Sequence, residues 1–190
     1  MIRAQARPAY THTRAFTLVE TLIAITILMI AIAGPLVIAT KGLTSANYSK
    51  NQMIASYLAQ ESMEVIKNVR DNNVYQYRNN QIGLETNWLN TIDGGSGTPC
   101  VSSANMCDAS GINSSSILDC PNPPGCAVYY SEATGYNTQN SSDTQTQFYR
   151  HYYLETVDPT EVRVHVFVDW NEGTIPFQIH LVSTMSATSR

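Results

Sequence analysis

Ala15-Phe16-Thr17-Leu18-Val19-Glu20-Thr21-Leu22-Ile23-Ala24 is the stretch whose reading decides the fold of this 190-residue chain. It opens an apolar run in which no residue from Thr21 to Thr40 carries a charge. A helix of about 20 such residues, rising about 1.5 Å each, spans a hydrocarbon core of about 30 Å. Glu20 stands at the threshold of that run. An ionisable group at such a depth costs at least about 2–3 kcal/mol unless it is paired, so it points to a function rather than to plain anchoring.

The residues before the run give it a direction. Arg3, Arg7 and Arg14 lie upstream with His12 and no acid. Excess arginine beside a membrane helix favours the cytoplasmic side, which would place everything after Lys41 outside. Three readings compete. A secretory signal could be cut after Ala31, Ala33 or Ala39. The run could be an uncleaved anchor carrying an exported binding or enzymatic domain. Or the cut could fall between Ala15 and Phe16, leaving the apolar helix in the mature protein.

The third reading rests on a resemblance. Ala15 to Ala24 resembles the prepilin-type cleavage and methylation signature of type IV pilins and type II secretion pseudopilins, carried on about ten residues ahead of an uncharged helix. The resemblance implies a cut just before Phe16 by a prepilin peptidase, N-methylation of Phe16, and a glutamate, Glu20, at the fifth mature position. The family usually has glycine before the cut; Ala15 stands there, and slower processing is expected. It implies as partners other pilin or pseudopilin subunits, the peptidase/methylase, an assembly platform and the inner membrane, with the head ending in a periplasmic or extracellular filament. Residues 1–15 are then a leader, 16–40 a transmembrane assembly stem and 41–190 an extracytoplasmic head. The amine released at Phe16 lies about one helical turn from Glu20 and could pair with it, or with the glutamate of a neighbouring subunit. The plain alternative is that Glu20 snorkels to the headgroups.

Gly34-Pro35 interrupts the stem pattern. Proline removes a helical hydrogen bond and crowds the preceding turn, so a break or kink is expected there. Beyond the membrane, Ile54, Tyr57, Leu58, Val65 and Val69 recur at helical spacing, with Lys50, Glu61, Glu64, Lys67 and Arg70 on the remaining surface. This predicts an amphipathic continuation over 41–72, stopping near Arg70-Asp71-Asn72-Asn73.

Residues 79–142 read as loop-rich, with Gly94-Gly95-Ser96-Gly97, Ser114-Ser115-Ser116 and Pro121-Asn122-Pro123-Pro124-Gly125. All four cysteines, Cys100, Cys107, Cys120 and Cys126, fall here. Outside the membrane they are expected to form disulfides; three pairings are open, and their spacing is longer than zinc-ligand pairs usually show. Many major pilins have a disulfide loop near the C-terminus; no cysteine follows Cys126 here, so the resemblance does not carry their receptor-binding assignments over to this chain.

The last third alternates with period two. Val162, Val164, Val166, Val168 and Trp170 interleave with Arg163, His165, Phe167 and Asp169. Asp158-Pro159 and Asn171-Glu172-Gly173 are turns, and Ile175, Phe177, Ile179 and Leu181 resume the pattern with Pro176 at a strand start or edge. A three-stranded antiparallel meander over 148–186, packed on the helix, gives an α+β, pilin-like fold. The terminal strands also resemble those of minor pilins and pseudopilins.

No active site emerges. His12, His151, His165 and His180 form no zinc-binding HExxH pattern, although the last three fall on the three predicted strands. Exposed sheet-face histidines are the expectation, with no metal and no cofactor. Phosphate-loop, dinucleotide and nucleophile-elbow patterns are also missing. A formal charge of −4 without a basic run beyond the leader disfavours nucleic-acid binding, except at a local patch on a filament tip. The eleven tyrosines suit sheet and interface packing. Asn47, Asn113 and Asn140 begin glycosylation sequons, short patterns that arise often by chance.

Overall fold

A computed structural model describes residues 16–80, 88–94, 100–109, 126–133, 137–138 and 142–187. Residues 1–15, including Ala15 and the leader arginines, lie outside the described residues, as do Cys120, Ser114-Ser115-Ser116, Pro121 to Gly125, Asn113 and Asn140. The chain divides into two compact units, Met1–Asn47 and Tyr48–Arg190.

One helix, α1 (Leu18–Asn80), contributes to both units. In the first unit every described side chain is exposed, and all the large apolar ones from Phe16 to Leu43 are among them. The hydroxyls of Thr21, Thr26, Thr40 and Thr44 donate to the carbonyls of Leu18, Ile23, Val37 and Lys41 at 2.8, 2.8, 3.0 and 2.9 Å. Each hydroxyl is thereby satisfied three residues back on its own helix and needs no water, which suits a lipid environment. The helix runs through Gly34 and Pro35 without interruption, so the break expected there is not present in this conformation.

Two corrections concern the second half of α1. Its end is not near Asn73 but at Asn80. No glycine or proline lies between Asp71 and Asn80, and Asn73 Nδ2 donates to the carbonyls of Trp88 (3.1 Å) and Asn90 (2.7 Å), tying down the next segment instead of ending the helix. The buried stripe is also not centred on the large residues. Ala55, Leu58, Ala59, Ser62, Met63 and Ile66 form it, with Ile54, Val65 and Val69 at its margins and Tyr57 64% exposed. Small side chains at the centre let the helix axis approach a neighbouring surface, and the larger ones close the sides. Ser62 meets its own need by donating to the Leu58 carbonyl at 3.1 Å.

The remaining elements of the second unit form one antiparallel sheet: β1 (Ala127–Tyr130), β2 (Asn137–Thr138), β3 (Thr144–Asp158), β4 (Glu161–Glu172) and β5 (Ile175–Ser186), in the order β2-β1-β3-β4-β5. The expected meander is β3-β4-β5. The short β1 and β2 arise inside the stretch read as loop; Ala127 to Tyr130 is too brief to show a period. Register runs from Phe148↔Trp170 to Thr156↔Val162 between β3 and β4, and through every residue of β4 from Glu161↔Ser186 to Glu172↔Ile175 with β5. The alternation therefore sends Val162, Val164, Val166, Val168 and Trp170 into the core with Tyr152 and Leu154. Gly173 takes φ +63° in the two-residue β4–β5 turn, a region glycine enters without strain. Asp158 Oδ1 accepts from the Thr160 amide (2.7 Å) and hydroxyl (2.8 Å), closing the β3–β4 turn, and these bonds hold its carboxyl below the usual range.

Cys100, Cys107 and Cys126 sit along the free edge of β3 beyond β1. Arg150 N–H donates to the Cys126 carbonyl (2.9 Å), Tyr152 N–H to that of Cys107 (2.7 Å), and Leu154 N–H to that of Cys100 (2.7 Å). Cys107 N–H returns a bond to Tyr152 (2.9 Å). Cys100 and Cys107 form a disulfide with their Cα atoms 5.7 Å apart, and Cys126 is disulfide-bonded as well. Irregular chain thus does the work of an edge strand. Replacing Cys100 and Cys107 together by serine should cost about 2 kcal/mol, as expected for a short closed loop. Native-state hydrogen exchange checks where the loss falls: the Tyr152 and Leu154 amides should lose protection before the β4 amides do.

Candidate functional site

Two regions carry chemistry. The first is the start of α1. Thr17 caps the helix: its Oγ1 accepts the Glu20 amide at 3.3 Å, and its carbonyl accepts the Thr21 amide at 3.2 Å. Glu20 occupies the third helical position, so Thr17-Leu18-Val19-Glu20 has the capping-box spacing in which a glutamate faces the cap. Its carboxylate also lies in the first turn, where the helix dipole favours negative charge. Phe16, 78% exposed, precedes the cap. The motif around Phe16 and Glu20 leaves Thr17 unmarked, although its three-residue spacing to Glu20 is the signal of a cap. From Leu18 onward α1 contains a stretch long and apolar enough to cross a membrane, none of it buried.

Residues 11–34 match the model of the prokaryotic N-terminal methylation motif. The chain carries a prepilin-type signature. That motif marks type IV pilin-like and pseudopilin-like proteins, and the helix, sheet and disulfide described above form an α+β, pilin-like fold. Comparison with curated proteins and with solved structures gives no match. A pilin-like motif implies processing by a prepilin peptidase and assembly with other pilin-like subunits, and it suggests a structural subunit rather than an enzyme.

The second region is the outer face of β3-β4-β5. The register places Tyr153 beside His165, and His151 and His180 on either side of Phe167. Tyr153 stacks on His165 with centroids 4.6 Å apart and planes at 5°; Phe167 stacks on His180 at 4.2 Å and 7°; His151 stacks on Phe167 at 5.1 Å. His165 Nε2 lies 3.0 Å from Glu155 Oε2, and its Nδ1 lies 3.0 Å from His180 Nε2. Arg163 donates to the same Glu155 oxygen at 2.7 Å. Hydrogen bonds from His165 and Arg163 hold the Glu155 carboxyl below its usual range. The strands thus bring together the three histidines that the sequence placed on them, but only His180 is exposed as expected; His165 is half-buried and His151 is buried. Tyr153 joins this array, whereas Tyr152 on the same strand turns inward, donates its hydroxyl to the Ile92 carbonyl at 2.8 Å, and has its pKa pushed up by burial.

Burial holds the His151 imidazole below its ordinary value, although Asp169, 3.5 Å away, and Asp108 pull the other way. The unfolded chain takes up this proton near pH 6.5, and the folded head takes it up only at lower pH. The contribution of neutral His151 is therefore complete above that value and drains away as pH falls below it. Thermal unfolding followed by circular dichroism should show the melting temperature dropping between pH 7 and pH 5. His151→Phe, which keeps a ring on Phe167, should flatten that slope.

Proposed function

We propose that the chain is a structural subunit of a type IV pilus-like or pseudopilus filament, closer to a minor pilin or pseudopilin than to a major pilin. It is stored as a membrane precursor with its N-terminus inside and its head outside. It is cut between Ala15 and Phe16, methylated at Phe16, and drawn into the filament through the stem. The observation that carries this reading is the coincidence of the methylation motif at residues 11–34 with a wholly exposed apolar helix on a folded head. An apolar surface of that size needs lipid before assembly and other subunits after it. Like stems packed by staggered, heterologous contacts produce an open helical polymer.

Glu20 acts in that step as a register mark. A carboxylate within a bundle of apolar stems is heavily penalised alone, and the amine of a processed Phe16 removes much of the penalty. Until that partner arrives, the helix dipole favours the charge where it stands, in the first turn of α1. Pro35, which leaves the helix one amide short, is where the stem would extend on assembly. Adhesion, surface motility, DNA uptake and secretion are the tasks such a filament serves. The other reading, an exported domain on an uncleaved anchor, predicts a different N-terminus.

Mass spectrometry of the protein from its native membrane should find a chain beginning at N-methyl-Phe16. An intact Met1, or a cut after Ala33 or Ala39, would overturn the proposal. Ala15→Gly should speed conversion of precursor to mature chain in a pulse-chase. Glu20→Gln should leave that conversion in place and lower the yield of sheared filaments at least tenfold, a loss of about 1.4 kcal/mol or more per assembly step. Unchanged filament yield would remove the register role while leaving the processing assignment intact.

A further inference from the structure

The outer face of the sheet holds a pair of imidazoles in an arrangement that a filament stem does not require. His165 and His180 are diagonal neighbours on β4 and β5, with facing ring nitrogens 3.0 Å apart. Their ring centroids are 5.2 Å apart at 20°, so the rings meet edge to edge. A carboxylate can only accept, so Glu155 at 3.0 Å fixes the proton of neutral His165 on Nε2 and leaves the Nδ1 lone pair aimed at His180. Glu155 is itself held by Arg163, and both imidazoles are pressed flat by Tyr153 and Phe167. A histidine whose second nitrogen is held by a carboxylate is the usual outer support of a metal-ligating imidazole.

We propose that His165 Nδ1 and His180 Nε2 form an open site for a divalent cation of borderline softness, such as Zn²⁺, Ni²⁺ or Cu²⁺. Two imidazole nitrogens on one tetrahedral zinc ion stand about 3.3 Å apart with both lone pairs converging on the metal, so rings that now face each other across 3.0 Å have to turn as well as separate, with one Nε2 moving by roughly 2 Å. The movement falls to His180, which is exposed and sits on the edge strand β5. His165, one strand further in, keeps its place between Tyr153 and Glu155. Imidazole donors with water in the remaining positions suit these cations and not Mg²⁺ or Ca²⁺, which take oxygen ligands. Among the described residues no group of three or more His, Cys, Asp or Glu side chains is placed to enclose a metal ion. The site therefore supplies two nitrogens and leaves the other positions to water or to a donor from a neighbouring molecule. It does not depend on the filament reading, since it lies wholly within the folded head.

The test uses the full-length protein in detergent micelles at neutral pH, titrated with Zn²⁺ by calorimetry and followed by ¹⁵N spectra of the imidazole rings. One Zn²⁺ per chain is expected, moving the Nδ1 resonance of His165 and the Nε2 resonance of His180 while leaving those of His151 in place. His180→Gln should abolish the uptake, Glu155→Gln should weaken it about tenfold to a hundredfold, and His151→Gln should leave it unchanged. A pair that only shares a proton takes up no Zn²⁺, and that result overturns the site. So does Zn²⁺ uptake that shifts only His151 or His12, or that survives His180→Gln at full strength. The ring spectra of the unsubstituted protein decide the matter even if a variant misfolds.

Discussion

The folded head depends on one buried guanidinium. Arg150 projects from β3 with 3% of its side chain exposed, and it reaches three different pieces of chain. Its Nη1 lies 2.9 Å from Glu61 and 3.5 Å from the Leu58 carbonyl, both on α1, and its Nε lies 3.4 Å from Asp108, whose carboxylate is wholly buried. Its own amide bonds to Cys126. Helix, sheet and cysteine segment therefore meet on a single cation. Cohesion comes from elsewhere: each fully buried valine of β4 contributes about 1.5–3 kcal/mol as an upper figure, and four of them with Trp170 exceed any one ion cluster. The cluster instead fixes which part of α1 faces which part of β3. A shifted helix would take Glu61 and the Leu58 carbonyl away from the buried guanidinium and leave it to Asp108 alone.

With that register set, the two faces of β3-β4-β5 have separate tasks. The inner face is hydrocarbon closed over small residues of α1, with Phe148, Trp170, Phe177 and Tyr48 in a run of ring contacts at one end. Asn51 Nδ2 fastens the same end by donating to Glu172 at 3.0 Å. The outer face carries polar and aromatic groups that answer to each other, from the Glu155–Arg163 pair through the stacked rings to Gln178, which donates to Asp169 at 2.7 Å. In the stem unit the hydroxyls of Thr21, Thr26, Thr40 and Thr44 are satisfied along the helix itself.

Much of this could be read from the chain before any coordinates. The uncharged run after Glu20, the motif around Phe16 and the alternation from Val162 to Trp170 are local patterns, and each element appears where its period puts it. The errors are local as well. Asn72-Asn73 looks like a stop because asparagine ends helices often, yet Asn73 spends its side chain on Trp88 and Asn90. Tyr57 looks like core because it is large and at the right spacing, yet Ala59 and Ser62 occupy the contact. The Thr17 cap is legible in its three-residue spacing to Glu20, though Glu20 is the more conspicuous signal.

What the sequence determined by itself was the stem, its processing signature and the inside-outside pattern of the long strands, since hydrophobic period and absence of charge act over one or two turns of chain. What only the tertiary structure decided was which distant groups meet. Cys100 closes on Cys107 against β3, Asp108 and Glu61 converge on Arg150, and His180 comes to lie 3.0 Å from His165. Those meetings follow from strand register and from the placing of a helix on a sheet. A shift of one residue would send each side chain to the opposite face, and no window along the chain contains the contacts that forbid it.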